Sequence, residues 1–276
     1  MQNKKYSFCN CVIEIKHNGP IAEKNNYGIF ATDNETVDFV VDVENVSYLP
    51  SKEGVRLFSE ELHEVYFDGE NRKTYSAFPV SRDESVDFAC RVNNEKLYIS
   101  FRDEINEFLV FEGLRLSELL LLKGIGILHC SFIEVNGEAI LFAGDKQVGK
   151  STQAALWEKY ASATIINGDR AGLFIKDGKV TAGGVPYCGT SGICKNRQLP
   201  VKAIVCLSKG TENKIEKLSP LSAFMFLMGK FAYNTWDVSD VNSITGLLTE
   251  IVEKIPVYSY SCLKDESAVK YLSERI

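Results

Sequence analysis

Eight consecutive residues constrain this chain more than any others: Gly144, Asp145, Lys146, Gln147, Val148, Gly149, Lys150 and Ser151. They match the pattern G-x-x-x-x-G-K-[S/T] at every fixed position. An apolar run, Ala139–Ala143, precedes them, and a segment of good helix formers, Thr152–Tyr160, follows. The local fold is therefore expected to be strand, tight loop, helix. Glycine at 144 and 149 lets the backbone approach a ligand where a Cβ would obstruct it. The loop N–H groups and the helix N-terminus then converge into a nest for phosphate oxygens. Residues 144–152, Thr152 included, form the candidate nucleotide-binding set. Lys150 is expected to reach the β- and γ-phosphates, and the Ser151 hydroxyl to ligate Mg²⁺.

Such a loop needs a carboxylate near the end of a neighbouring strand. The short run Thr164-Ile-Ile-Asn-Gly-Asp169 supplies one, and Asp169 becomes the candidate metal ligand and catalytic acid–base group. An Asn136-Gly137 turn, the strongest short hairpin signal, would set His129 opposite Gly144, with cross-strand neighbours roughly 5 Å apart. His129 is thus a second candidate for proton acceptor, or a stabiliser of phosphoryl charge. A glycine-rich segment, Gly183–Gly192, is followed by Lys195 and Arg197, cations placed to meet phosphate; Arg197 joins the candidate binding set. No Asn-Lys-x-Asp guanine-reading motif occurs, which argues against a GTPase.

The remainder of the chain bounds these expectations. With 31 Lys+Arg against 37 Asp+Glu the net charge is −6, so neither nucleic acid nor an anionic membrane is the expected partner. No apolar run approaches the roughly 20 residues that span a bilayer, and the N-terminus opens onto no signal-peptide h-region; a cytoplasmic chain is expected. The first hundred residues read as β-rich, with strands at 11–16, 37–43, 64–67 and 96–101 and turns at Asn18–Pro20, Asp68-Gly69 and Asn93-Asn94. A single helix is expected from about Asp103 to Lys123. The domains are accordingly placed at 1–102 and 103–276, the second an α/β unit with a mixed sheet. Of the eight cysteines, Cys9 and Cys11 are expected on one face of a strand, and all are expected to be small apolar residues. His17 and His63 are expected at the surface.

His129 before a hairpin, the loop 144–151, the Asp169-Arg170 pair and the Gly183–Gly192 loop together resemble the C-terminal domain of HPr kinase/phosphorylase. That domain shares its core with phosphoenolpyruvate carboxykinases. The resemblance covers residues 125–276 and includes the strand at 199–205 and the closing 255–267 segment. It is nearest to the HPr-kinase-like serine kinases that act on ribosomal peptide precursors, such as those of lasso peptides. It implies a P-loop core of that type and ATP- and Mg²⁺-dependent transfer of a phosphoryl group to a serine hydroxyl of a peptide or small protein. Homo-oligomers are a further implication. The alternatives are a small-molecule kinase of the same fold and a non-catalytic nucleotide-binding regulator. One departure stands out: the family usually has a second Asp before the retained one, and here it is Gly168.

Overall fold

The computed structural model describes residues 2–19, 21–23, 27–60, 63–70, 72–79, 85–93, 96–101 and 106–276. Pro20, Asn94, Asp103 and Ile105, on which an expected turn or helix start rested, lie outside the described residues. The protein is mixed α/β and divides into two compact units, Met1–Leu119 and Leu120–Ile276.

The front unit is an eight-stranded sheet. In chain order its strands are β1 (Gln2–Phe8), β2 (Cys11–His17), β3 (Phe39–Asn45), β4 (Val55–Glu60), β5 (His63–Phe67), β6 (Arg72–Pro79), β7 (Ser85–Asn93) and β8 (Lys96–Phe101). Across the sheet they run β1-β2-β3-β8-β7-β6-β5-β4, with β2, β3 and β8 parallel. Cys9 and Asn10 do not lie in a strand. They are the two central residues of the β1–β2 turn, with φ of 53° and 71°, as a type I′ hairpin requires. Both Cys9 and Cys11 are buried, and burial, with Cys11 beside it, pushes the Cys9 thiol up to about 12. His17 is buried rather than exposed. Its Nδ1 lies 2.6 Å from Gly19 O and its Nε2 3.4 Å from Asn45 Oδ1. Burial, with Arg115 and Arg72 nearby, lowers half-buried His63 to about 4.

The expected single helix is two short ones, α1 (Glu107–Gly113) and α2 (Leu116–Leu122). Arg115 between them has a φ of 50°, a left-handed conformation that ends a helix. Asn106 caps α1 by accepting from Leu109 N–H at 3.1 Å. The division between units falls at Leu119/Leu120 rather than after residue 102. The reason is Phe111: its ring stacks on Tyr27 at 4.9 Å and meets Tyr6 and Phe8 edge-on at 5.1 Å each. Large aromatic contacts of this kind dominate core energetics, so α1 belongs to the front core although its pattern resembles the rear of the chain.

The rear unit is built on one nine-stranded sheet. β9 (Gly126–Val135) and β10 (Glu138–Ala143) form the expected hairpin, with Asn136 and Gly137 at φ 51° and 82°. Then follow α3 (Lys150–Ala161), β11 (Thr164–Asn167), β12 (Arg170–Lys176), β13 (Lys179–Gly183) and β14 (Gln198–Lys209). The chain closes with β15 (Lys214–Lys217), α4 (Pro220–Met228), β16 (Phe231–Ala232), α5 (Val238–Lys254), β17 (Val257–Cys262) and α6 (Glu266–Ser273). β10 pairs antiparallel with β9 and parallel with β14, which pairs parallel with β17. The first residues of β9 and β14 pair instead with β12 and β13. Apolar residues on both faces of β10, all buried from Ala139 to Ala143, explain why it is central: an interior strand covered on both faces reads as a continuous hydrophobic run. One core cluster contains Leu141, Ile204 and Leu248, the other Phe142, Trp157 and Val205. Among the described residues no helix is long and apolar enough to cross a membrane.

Candidate functional site

The loop between β10 and α3 is shaped by three left-handed residues: Gly144 at φ 148°, Gln147 at 64° and Gly149 at 118°. A Cβ on Gly144 would stand 2.9 Å from Val148 Cγ1 and 3.1 Å from Leu207 O, closer than a side chain tolerates. Val148 N–H donates to Asp145 O at 3.3 Å and Gln153 N–H to Gly149 O at 2.9 Å, closing the loop onto the first turn of α3. Lys150 is buried, and its ammonium donates to the carbonyls of Gly144 and Asp145, each at 3.1 Å. Burial lowers its pKa from the ordinary lysine value, and the Asp169 carboxylate opposes that shift. Lys146, Ser151 and Thr152 are exposed.

His129 reaches the same neighbourhood by a route that differs from the expected one. The β9–β10 ladder keeps the predicted register as far as Cys130↔Ala143. Past Cys130, β16 takes the place of β10 on that edge of β9, while on the opposite edge, where β12 continues from β11, His129 pairs with Arg170. A cross-strand pair with Gly144 is therefore not formed. The β12 pairing sets the imidazole beside the acid: His129 Nε2 lies 3.4 Å from Asp169 Oδ1, and Arg170 Nε lies 3.3 Å from Asp169 Oδ2. The hydrogen bond from His129 holds the Asp169 carboxyl below the usual carboxylate range, with help from the Arg170 charge and against partial burial. Asp169 is thus an ionised carboxylate at neutral pH.

The turn carrying Asp169 is held from below by Asn167. This side chain is fully buried; its Oδ1 accepts from Asp169 N–H and Arg170 N–H, both at 2.9 Å, and its Nδ2 donates to Val185 O at 2.8 Å. Asn is suited to this because its side chain bonds the backbone two residues on. That spacing was the sequence signal for Asn167. Ser131 Oγ donates to Gly168 O at 3.1 Å from β9. The glycine-rich segment packs over the turn: a Cβ on Gly189 would lie 2.9 Å from Asp169 Cγ, and one on Gly168 only 2.2 Å from Ser191 Oγ.

Two cations exchange places relative to expectation. Arg197 is not brought to the loop: its guanidinium pairs with Glu134 Oε1 at 2.9 Å. Glu134 lies five residues along β9 from His129, about 16 Å at ~3.3 Å per strand residue. The cation at the loop is Lys230, whose ammonium pairs with Asp145 Oδ1 at 2.5 Å. Its carbonyl accepts from His129 N–H at 2.9 Å as β16 docks against β9. Nothing in the sequence around Lys230 marks it, since its position depends on where the end of α4 meets β9.

No protein-family model and no curated protein matches the chain. Among solved structures, the HPr(Ser) kinase/phosphatase from Coxiella burnetii aligns over 54% of this chain and 91% of that one, with 12% identity and a TM-score of 0.28. A likeness of that degree carries no argument about activity.

Proposed function

We propose that the rear unit is an ATP- and Mg²⁺-dependent phosphotransferase that moves the γ-phosphoryl group to a serine hydroxyl of a peptide or small protein. The observation that supports it most is the conjunction of the full octapeptide, with left-handed Gly144 and Gly149 opening the α3 N-terminus, and an imidazole–carboxylate pair at His129 and Asp169. The Asp169 carboxylate opposes the lowering of the Lys150 pKa by burial, which links the two halves of the site.

The donor set suits Mg²⁺. Among the described residues no group of three or more His, Cys, Asp or Glu gathers to form a metal cage. Ser151 and Asp169 offer one hydroxyl and one carboxylate, hard oxygen donors of the kind that hold a hydrated Mg²⁺ together with substrate phosphates. When bound, Mg²⁺ would neutralise charge on the β- and γ-phosphate oxygens. The loop N–H groups orient the phosphates, and Lys150 turns from the Gly144 and Asp145 carbonyls to phosphate oxygens. The attacking hydroxyl loses its proton to the His129–Asp169 pair. Incubation of the full chain with γ-labelled ATP and serine-bearing peptides tests this. Label is expected on serine, and Lys150→Ala is expected to abolish it; unchanged transfer by Lys150→Ala would remove the site assignment.

A nucleotide-binding regulator without catalysis is the second reading. It is favoured by Gly168, because Ser191 fills the space that a second acidic side chain would need. His129→Ala separates the two: a regulator keeps its function, a kinase loses turnover.

A further inference from the structure

Arg170, the first residue of β12, stands directly opposite His129 of β9. Opposite residues of an antiparallel pair share a face, with Cβ atoms about 4.5–5.5 Å apart. The Arg170 side chain is fixed at two points. Its Nε lies 3.3 Å from Asp169 Oδ2, and its Cζ lies 4.8 Å from the centre of the Tyr187 ring in the glycine-rich segment. A guanidinium over an aromatic face is held there by the negative face of the ring. The N–H donor on Nε faces the carboxylate. Those on Nη1 and Nη2 have no hydrogen-bond partner among the described residues. The side chain is 37% exposed, so an incoming molecule can reach this fork.

What meets beside the fork gives it a use. Asp169 pairs with Arg170 and also acts on the Lys150 ammonium, so one carboxylate is common to the loop cation and to Arg170. Lys150 serves the loop end of the phosphates, and Lys230 is committed to Asp145. Gly168, before Asp169 in the turn, brings no charge. A hydroxyl that gives its proton to the His129–Asp169 pair therefore attacks phosphorus next to Arg170. In that step the hydroxyl oxygen bonds to phosphorus as the bond from phosphorus to the bridging oxygen of ADP breaks. The electron pair leaves on ADP, and the proton stays with the His129–Asp169 pair. The charge on the equatorial oxygens is then met by Lys150 from the loop and by Arg170 from the acceptor side.

We propose that Arg170 is a further catalytic residue, whose Nη1 and Nη2 N–H groups bond the equatorial oxygens of the phosphoryl group during its transfer. This rests on the phosphotransferase reading above. A planar guanidinium matches phosphoryl oxygens with parallel N–H donors, which an ammonium cannot do. Asp169 and Tyr187 hold the fork in place before any substrate arrives, and donors fixed in advance are the ones that stabilise developing charge most. An arginine acting in this way is worth about 10³–10⁵ in kcat in other phosphoryl-transfer enzymes.

Calorimetric titration of the full chain with Mg²⁺-ADP, with and without aluminium fluoride as a mimic of the phosphoryl group in transfer, tests the proposal. The unmodified protein is expected to bind Mg²⁺-ADP at least tenfold tighter when the fluoride is present. Arg170→Gln is expected to bind Mg²⁺-ADP within threefold of the unmodified protein and to lose that gain. Its kcat for labelled-phosphate transfer is expected to fall at least a hundredfold, with KM for ATP within threefold. Arg170→Lys keeps the charge beside Asp169 without the fork, and its kcat is expected to stay at least tenfold below that of the unmodified protein. A fluoride gain that survives in Arg170→Gln overturns the proposal, as does loss of Mg²⁺-ADP affinity in both variants. Turnover of Arg170→Gln that recovers as pH is raised also overturns it. Recovery would mean that Arg170 acts only by keeping Asp169 ionised, since its charge helps to lower that carboxyl. Failure of the phosphotransferase reading looks different: the unmodified protein itself then gains nothing from the fluoride and transfers no label.

Discussion

Replacing Gly168 by alanine probes the contact that holds the glycine-rich segment against Asp169. The new Cβ would lie 2.2 Å from Ser191 Oγ and 2.7 Å from Ser191 Cβ. Rotating the serine side chain clears the oxygen but not the Cβ, which is fixed to the backbone. The oxygen is also engaged, donating to Cys188 O at 2.6 Å and accepting from Ile193 N–H at 3.2 Å. The segment must therefore shift, at a cost of about 1–3 kcal/mol, the usual range for overpacking. Ser191→Gly removes both crowding atoms and loses hydrogen bonding worth about 1 kcal/mol. In the double variant the clash is gone, so its stability should lie within about 0.5 kcal/mol of Ser191→Gly alone, whereas independent sites would add. Urea unfolding followed by tryptophan fluorescence measures this, because both tryptophans, Trp157 and Trp236, lie in the rear unit. Additivity of the two single changes would refute the steric argument.

Asn167→Ala leaves the Asp169 and Arg170 N–H groups and the Val185 carbonyl without the partners they have now; a loss of about 3 kcal/mol is expected from unsatisfied buried groups, read by the same denaturation assay. Asp169→Asn should cut turnover sharply and flatten the Mg²⁺ dependence of the activity that remains, which an activity titration with the metal checks. The same variant has a pH signature. Because the folded-state carboxyl is held below its ordinary range, Asp169 contributes stability that is present above the unfolded value of about 3.9 and is lost as pH falls through the folded value. The stability gap between wild type and Asp169→Asn should therefore narrow on acidification below about pH 4, and a gap that widens there would contradict the assignment. Arg197→Ala should leave turnover unchanged, since its guanidinium is engaged with Glu134 far along β9; loss of activity in steady-state assays would return Arg197 to the site.

Much of the rear unit was legible because its signals are local. Asn-Gly at 136–137 dictates a hairpin through backbone conformation alone, and the octapeptide at 144–151 dictates a loop between strand and helix. The α5 helix, residues 238–254, buries Ile244, Leu247, Leu248 and Ile251, residues three and four apart in the chain. The front unit was less legible. Strands β1, β4, β6 and β7 lack clean alternation between turn signals, although each pairs with a strand next to it in the chain; the pairing distant in sequence is β3 with β8, where Val40 meets Lys96.

The sequence by itself determined the phosphate-loop pattern, the hairpin ahead of it and the acid that follows it, because each depends on residues within a few positions of one another. Only the tertiary structure decided which groups meet there. The pairing of β12 with β9 set the imidazole beside Asp169, and β16, not Gly144, lies opposite His129 on the β10 edge. The docking of β16 on β9 delivered Lys230 in place of Arg197. The aromatic cluster around Phe111 drew α1 into the front core. In each case the deciding interaction joins residues far apart in the chain, so no local pattern encodes it: burial and strand pairing set the geometry only once the whole unit has packed.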